Sequence, residues 1–424
     1  MNMHHARRGF TLVELFVVIA VALIAIAAAL PAFTAMTASS NRSLAENTLH
    51  VAVTTARDVV LQSARGSDGA AVFLYDAANK RMRIVAAEYV GTITDTVDGN
   101  VNRPIERDVF APVLVGETTE LPANWMVRGF VPARFASTVG GPGMGYDWYD
   151  SDLYATGNGW QRGHWVFPED GFYDVEGSPS AARPMGRSPR QSFMIRFDGR
   201  TGQIRRDGRE SLLIDPRPSA LNRQADLAGY GVTAGSRNDP GAWLRVDWAE
   251  NLVSWARRVV NEPDLSGNGV PYELDDARLR RALIGNQSLD TVLVSDVSRV
   301  ALYDERDLAS ALGASQMSRR GGGRDTGSLY KAYDPTNGSI AIDYEGLFTG
   351  NSAFSASNAG QANLRDSIDC WIEGDTNRVG SGNNFVLGNG ILFEGPEATG
   401  GADEPKALRY LVNPYSGELT EVAR

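Results

Sequence analysis

From Phe10 to Leu30 the chain holds 21 residues with no Gly, no Pro and a single charged side chain, Glu14. A run of that length and apolarity spans a bilayer as a helix, and few other structures can accommodate it. Arg7 and Arg8 precede it, so the short N-terminal stretch stays on the cytoplasmic side. Glu14 is the anomaly. A carboxylate at membrane depth costs roughly 2.5 to 3.5 kcal/mol on insertion scales, so a helix that carries one needs a partner for it. An ordinary secretory signal cleaved near Ala35 or Ala38 is the competing reading, but such signals have a shorter apolar core and no charge inside it.

The order Arg7-Arg8-Gly9-Phe10-Thr11-Leu12-Val13-Glu14, followed by an Ala/Val/Ile/Leu run, resembles the class III signal of type IV pilins and type II secretion pseudopilins. The resemblance implies cleavage by a prepilin peptidase between Gly9 and Phe10, N-methylation of Phe10, and an assembly role for Glu14 at the fifth mature position. It also implies a helix that bends near Pro31, and other pilin or pseudopilin subunits as partners. The new ammonium of Phe10 would lie one helical turn from Glu14, or would pair with Glu14 of a neighbour in a filament.

After Pro31 the helical pattern continues to about Arg65, with Leu49, Ala52, Val53, Ala56, Val59 and Val60 on one face. Phe10 to Arg65 as one helix would measure about 84 Å at 1.5 Å per residue. Ser39, Ser40, Asn41 and Ser43 predict a loosened stretch, and Gly66-Ser67-Asp68-Gly69 predicts the stop.

Alternation then predicts strands at Ala71–Tyr75, Met82–Val85 and Ser192–Phe197. One turn spacing recurs at 197–204, 333–340 and 412–419: apolar, Asp or Asn, three residues, Gly, any residue, Ile or Leu. The Asx side chain starts such a turn and Gly supplies the positive φ that returns the chain as a hairpin. Helix, strands and the Phe197-Asp198-Gly199-Arg200 turn together are similar to the GspH/FimT type of minor pseudopilin. Further on, helices are expected at 239–260, with Trp248, Leu252, Trp255, Ala256 and Val259 on its apolar face, at 274–284 and at 307–312, around a strand-like Thr291 to Tyr303.

The fold class is therefore α+β: a long N-terminal transmembrane helix packed on an antiparallel β-sheet, with a helix-containing second lobe. The divisions are a leader at 1–9, the membrane helix at 10–30, its continuation at 31–65, a pilin-like β domain at 66–220, and an α+β elaboration at 221–424 that ends in a hairpin.

Charge and residue counts limit the chemistry. Lys and Arg number 41 against 51 Asp and Glu, a net charge of −10, and loss of Arg7 and Arg8 with the leader makes it −12. That acidity argues against nucleic-acid binding. Cys370 is the single cysteine, so the exported part has no internal disulfide. His4 and His5 leave with the leader and His50 sits on the packed helix, which leaves His164 without an evident nucleophile or second metal ligand. No catalytic role is read, and no cofactor is required. Asp264, Ser266, Asn268, Val270 and Asp275 do follow the oxygen-donor order of a calcium loop, with Gly269 at its sixth position. A metal-free Asx-rich connector suits the same residues.

The aromatics Trp148, Tyr149, Tyr154, Trp160, Trp165, Phe167 and Phe172 are read as anchors that hold a Gly-rich loop to the sheet, in preference to a partner-binding surface. The expectation that follows is a single-pass protein of the inner membrane with its C-terminal head outside, serving as a minor, structural pilin-like subunit. A membrane-tethered binding protein or hydrolase that uses a pilin-type signal is the alternative.

Overall fold

A computed structural model describes residues 12–62, 66–76, 81–95, 105–113, 118–131, 164–168, 192–205, 210–214, 253, 256–257, 260–261, 291–311, 368–369, 371–373 and 407–422. The chain divides into two compact units, residues 1–47 and 48–424. Helix α1, Leu12–Gln62, runs through that division and keeps Pro31 inside it.

From Leu12 to Leu44 the described apolar side chains of α1 are exposed. Leu12, Phe16, Ile24, Phe33 and Met36 are 72%, 66%, 70%, 66% and 72% exposed, which marks a surface that needs lipid or another helix. The stretch from Ser39 to Ser43 stays helical where a loosening was expected. An Arg42–Glu46 pair one turn apart, 2.9 Å between Nε and Oε1, supports it locally.

In the second unit the expected stripe is buried at Leu49, Ala52, Val53, Ala56 and Val60, while Val59 remains partly exposed. α1 comes very close to the first strand. A methyl group on Gly69 would stand 1.9 Å from Val60 Cγ2, so only Gly permits this approach.

Seven strands form the larger sheet: β1 (Gly69–Asp76), β2 (Arg81–Asp95), β3 (Ile105–Pro112), β4 (Thr119–Glu120), β7 (Ser192–Phe197), β8 (Ser211–Ile214) and β9 (Thr291–Asp296). Their order is β1-β7-β9-β8-β3-β2-β4, and β1 also pairs with β2, which closes six of them into a ring. Ala70, Val72 and Leu74 from β1 meet Val85, Ala87, Phe110, Met194, Leu213, Val292 and Val294 in one buried cluster. These residues occupy facing registers, for example Val72 opposite both Val85 and Met194.

The other face of β1 and β7 is buried as well. Phe73 and Phe193 stack there with ring centroids 4.9 Å apart, which explains why these strands read as near-continuous apolar runs. Over them lies the second sheet, ordered β12-β11-β10-β5-β6, from β5 (Trp125–Val131), β6 (His164–Val166), β10 (Arg299–Asp304), β11 (Leu408–Val412) and β12 (Leu419–Glu421). Gly129 of β5 makes this contact possible, because a methyl group there would sit 2.8 Å from Cγ of Phe193.

Expectation and structure differ in three respects. The larger sheet is mixed, since β3–β8 and β7–β9 are parallel. Strands from both sides of residue 220 share both sheets, with β9 seated between β7 and β8. The strand-like Thr291 to Tyr303 is two strands, one in each sheet, and the helix α2 that follows is Glu305–Ala311.

Residues 253, 256–257 and 260–261 are helical, with Ala256 and Val260 buried, so this helix reaches one residue past its expected end. Trp248, Leu252, Trp255 and Val259 of its expected face, and the helix expected at 274–284, lie outside the described residues.

Candidate functional site

Two surfaces could carry function. One is the uncovered N-terminal part of α1. Glu14 is its third residue, and the span from Leu15 is long and apolar enough to cross a membrane. Gly9 and Phe10, the side chain of Glu14, and the whole loop from Asp264 to Asp275 with Ser266, Asn268 and Val270 lie outside the described residues. So do Cys370 and the turn at 333–340.

The other surface is a cleft of about 630 Å³ in the second unit, lined by Gly66, Ser67, Asp68, Tyr89, Asp108, Arg196, Asp198, Arg200 and Arg205. Its floor is a buried ion network. Arg196 lies on β7 in register with Ala70, on the face that carries the apolar cluster. Its Nη2 is 2.8 Å from Asp68 Oδ2 and its Nη1 is 2.7 Å from Asp108 Oδ2. Arg205 also reaches Asp68 Oδ2, and the Thr92 hydroxyl donates to Asp108 Oδ1 at 3.0 Å. The Phe110 ring lies under the Arg196 guanidinium with its centroid 5.3 Å away.

Burial opposes the charge on Arg196. The hydrogen bond to Asp68 and the fields of Asp108 and Asp296 outweigh that opposition and raise its pKa above the ordinary arginine range. Arg196 is a fixed cation at every pH the protein meets.

The rim of the cleft is a turn. Asp198 Oδ1 accepts from the Arg200 and Thr201 amides at 3.0 and 2.9 Å and from the Thr201 hydroxyl at 2.9 Å. The Thr201 amide is the largest cause of a lowered Asp198 pKa, followed by the Thr201 hydroxyl. Gly202 closes the turn at φ 66°.

The C-terminal turn repeats this geometry. Asn413 Oδ1 accepts from the Tyr415 and Ser416 amides at 2.9 and 3.3 Å, and Gly417 has φ 69°. The shared spacing in the sequence is thus a shared structure at 197–204 and 412–419. The C-terminal turn joins the two paired strands β11 and β12, whereas the first is followed by a single bridge, Phe197 to Ile204.

Trp165 is 3% exposed and Phe167 fully buried, so these two aromatics serve as anchors. The Trp165 amide donates to Asp369 Oδ1 and its indole Nε1 to Glu373 Oε1, both at 2.9 Å. His164 lies on β6 opposite Val131. Among the described residues no group of three or more His, Cys, Asp or Glu side chains is placed to hold a metal.

The comparisons with known proteins address the first surface. Residues 4–30 match the prokaryotic N-terminal methylation motif. The chain therefore carries a type IV pilin-like prepilin signal, and Gly9, Phe10 and Glu14 fall inside the match. No curated protein and no solved structure matches the chain.

The cleft escaped sequence reasoning, although one sign of it was visible. Arg196 interrupts the apolar strand Ser192–Phe197 on the same side as Met194, and a cation in that position must find buried carboxylates. Asp68, just before β1, and Asp108 on β3 are brought together only by the fold.

Proposed function

We propose that this chain is a pilin-like structural subunit, made as a precursor and built through its N-terminal helix into a type IV pilus-like or type II secretion pseudopilus filament. The carrying observation is the methylation motif at residues 4–30, which overlaps the N-terminal part of α1, where the apolar side chains stand uncovered. Prepilin peptidase cuts after Gly9, Phe10 is methylated, and α1 anchors the protein in the inner membrane with the head on the outer side. Neighbouring subunits then replace lipid along α1. Glu14 pairs with the Phe10 ammonium of a neighbour, which offsets the roughly 2.5 to 3.5 kcal/mol that its carboxylate costs in the membrane.

A head of more than 350 residues after α1 is bulky for a closely repeated fibre, and it favours a minor subunit of the GspH/FimT kind. No catalytic step is assigned to it. The loop from Asp264 to Asp275 is included as a calcium site of the head.

The cleft floored by Arg196 supports a second reading, a membrane-tethered binding protein that uses the same signal. Assembly distinguishes the two. Glu14→Ala should insert into the membrane as well as the parent and lose cross-linking to other pilin-like subunits. Undiminished cross-linking of that variant would favour the solitary protein.

A further inference from the structure

We infer that the cleft between the end of α1 and the Asp198 turn binds a carboxylate ligand, with Arg200 as its principal contact. The hydrogen-bonding groups that line the cleft differ in how far they are already occupied. Asp68 Oδ2 accepts from Arg196 Nε and Nη2 and from Arg205 Nη1, and Asp68 Oδ1 takes the Gly199 amide at 3.4 Å. Asp108 is held on one oxygen by Arg196 and on the other by Thr92. Asp198 Oδ1 accepts three donors within its own turn. Asp68 and Asp108 are thus engaged inside the protein, and Asp198 through its Oδ1.

The donors are not engaged to the same degree. The Arg200 side chain makes no hydrogen bond or ion pair among the described residues, although it lines the cleft. Arg205 keeps 45% of its side chain exposed beside it. Ser67 Oγ is a buried atom with no hydrogen-bond partner among the described residues. Unsatisfied buried hydroxyls are uncommon and ask for a ligand or water.

The Arg200 fork and the Ser67 hydroxyl, which no described residue takes up, together with the half-exposed Arg205, favour an anion. A planar guanidinium fork matches the two oxygens of a carboxylate. A cleft of about 630 Å³ takes a molecule of several carbons or the acidic side chains of a short peptide. Because Arg196 is neutralised by its own carboxylates, the ligand is held by Arg200, Arg205 and Ser67, and the floor fixes their positions.

The test uses the full-length protein in detergent, titrated calorimetrically with glutarate and separately with a Glu-rich unstructured peptide. Glutaramide and inorganic phosphate serve as controls. Saturable binding is expected for at least one carboxylate probe and not for glutaramide. Arg200→Ala should weaken it about tenfold or more, and Arg200→Lys by less, with the melting temperature unchanged because residue 200 lies in an exposed turn. Binding of both probes points to a free small carboxylate as the natural ligand, and binding of the peptide alone to an acidic segment of a partner. The inference falls if neither probe binds, if Arg200→Ala binds like the parent, or if phosphate binds as tightly.

Discussion

Arg57 of α1 donates through Nη1 to the main-chain oxygen of Ser416, which lies 359 residues further along the chain. The C-terminal turn is held against the helix at that point. A methyl group on Gly417 would stand 3.0 Å from Arg57 Cδ and 2.9 Å from the Gly202 oxygen, so the two like-built turns and the helix share one junction. His50 supports it from the preceding turns of α1, edge-on to Tyr410 with centroids 5.2 Å apart.

Removing the Arg57 side chain should therefore loosen the C-terminal hairpin before it disturbs the ring of strands. Arg57→Ala is expected to lower stability by about 1.5 to 3 kcal/mol, the usual loss for a hydrogen bond from a charged group. Hydrogen exchange should rise first at Val412 and Gly417, whose amides bond to Ser298 and Asn413. Uniform loss of protection across β1 and β7 would contradict this.

The Arg196 network predicts a larger effect. Arg196→Met leaves Asp68 and Asp108 buried with Asp296 nearby and no shared cation, and losing one partner of a buried pair typically costs 3 to 5 kcal/mol. Chemical denaturation should show a loss of about that size. A change below about 1 kcal/mol would mean that water reaches these carboxylates freely.

Asp198 gives a pH prediction with a definite sign. Its folded pKa lies below the unfolded value of about 3.9, so its contribution is present at neutral pH and is lost as pH falls through the folded value. Asn413 shows that an amide oxygen builds the same turn. Asp198→Asn should thus keep the fold, and its stability difference from the parent, measured by urea unfolding, should shrink below about pH 4. A difference that stays constant from pH 6 to pH 3 would assign the effect to something other than this carboxylate.

Calcium in the loop from Asp264 to Asp275 should raise the melting temperature of the full chain. At about one hundred times Kd the added stability is roughly 2.7 kcal/mol. Asp264→Ala should abolish the shift and leave the calcium-free melt close to the parent's. Indifference of the parent to millimolar calcium and to chelator would leave the loop a connector.

What the sequence disclosed follows from the range over which each signal acts. α1, the strand Ser192–Phe197 and the turns at Asp198 and Asn413 were legible because helix periodicity, strand alternation and Asx-Gly turn chemistry are local. The ring of strands was not. Its closure depends on β9 entering between β7 and β8 from about 90 residues beyond β7, the packing of the second sheet on it depends on Gly129 meeting Phe193, and no local pattern encodes either relationship. The short strands β4, β6 and β8 offered too few residues for alternation to show. Arg196 was visible as a charge inside an apolar strand, whereas its partner Asp68 read only as part of the stop after α1, and nothing local marked Asp108. The apolar helix and its signal were the most legible part, since the length and apolarity of the run carry the one and the residue order from Arg7 to Glu14 the other.

The N-terminus of the protein extracted from membranes decides whether the chain is a pilin-like precursor. Intact mass and N-terminal sequencing should show a chain that begins at N-methylated Phe10, with Gly9 and everything before it gone. A chain that starts between Ala35 and Ser39, or one that retains its first nine residues, would contradict a pilin-like precursor.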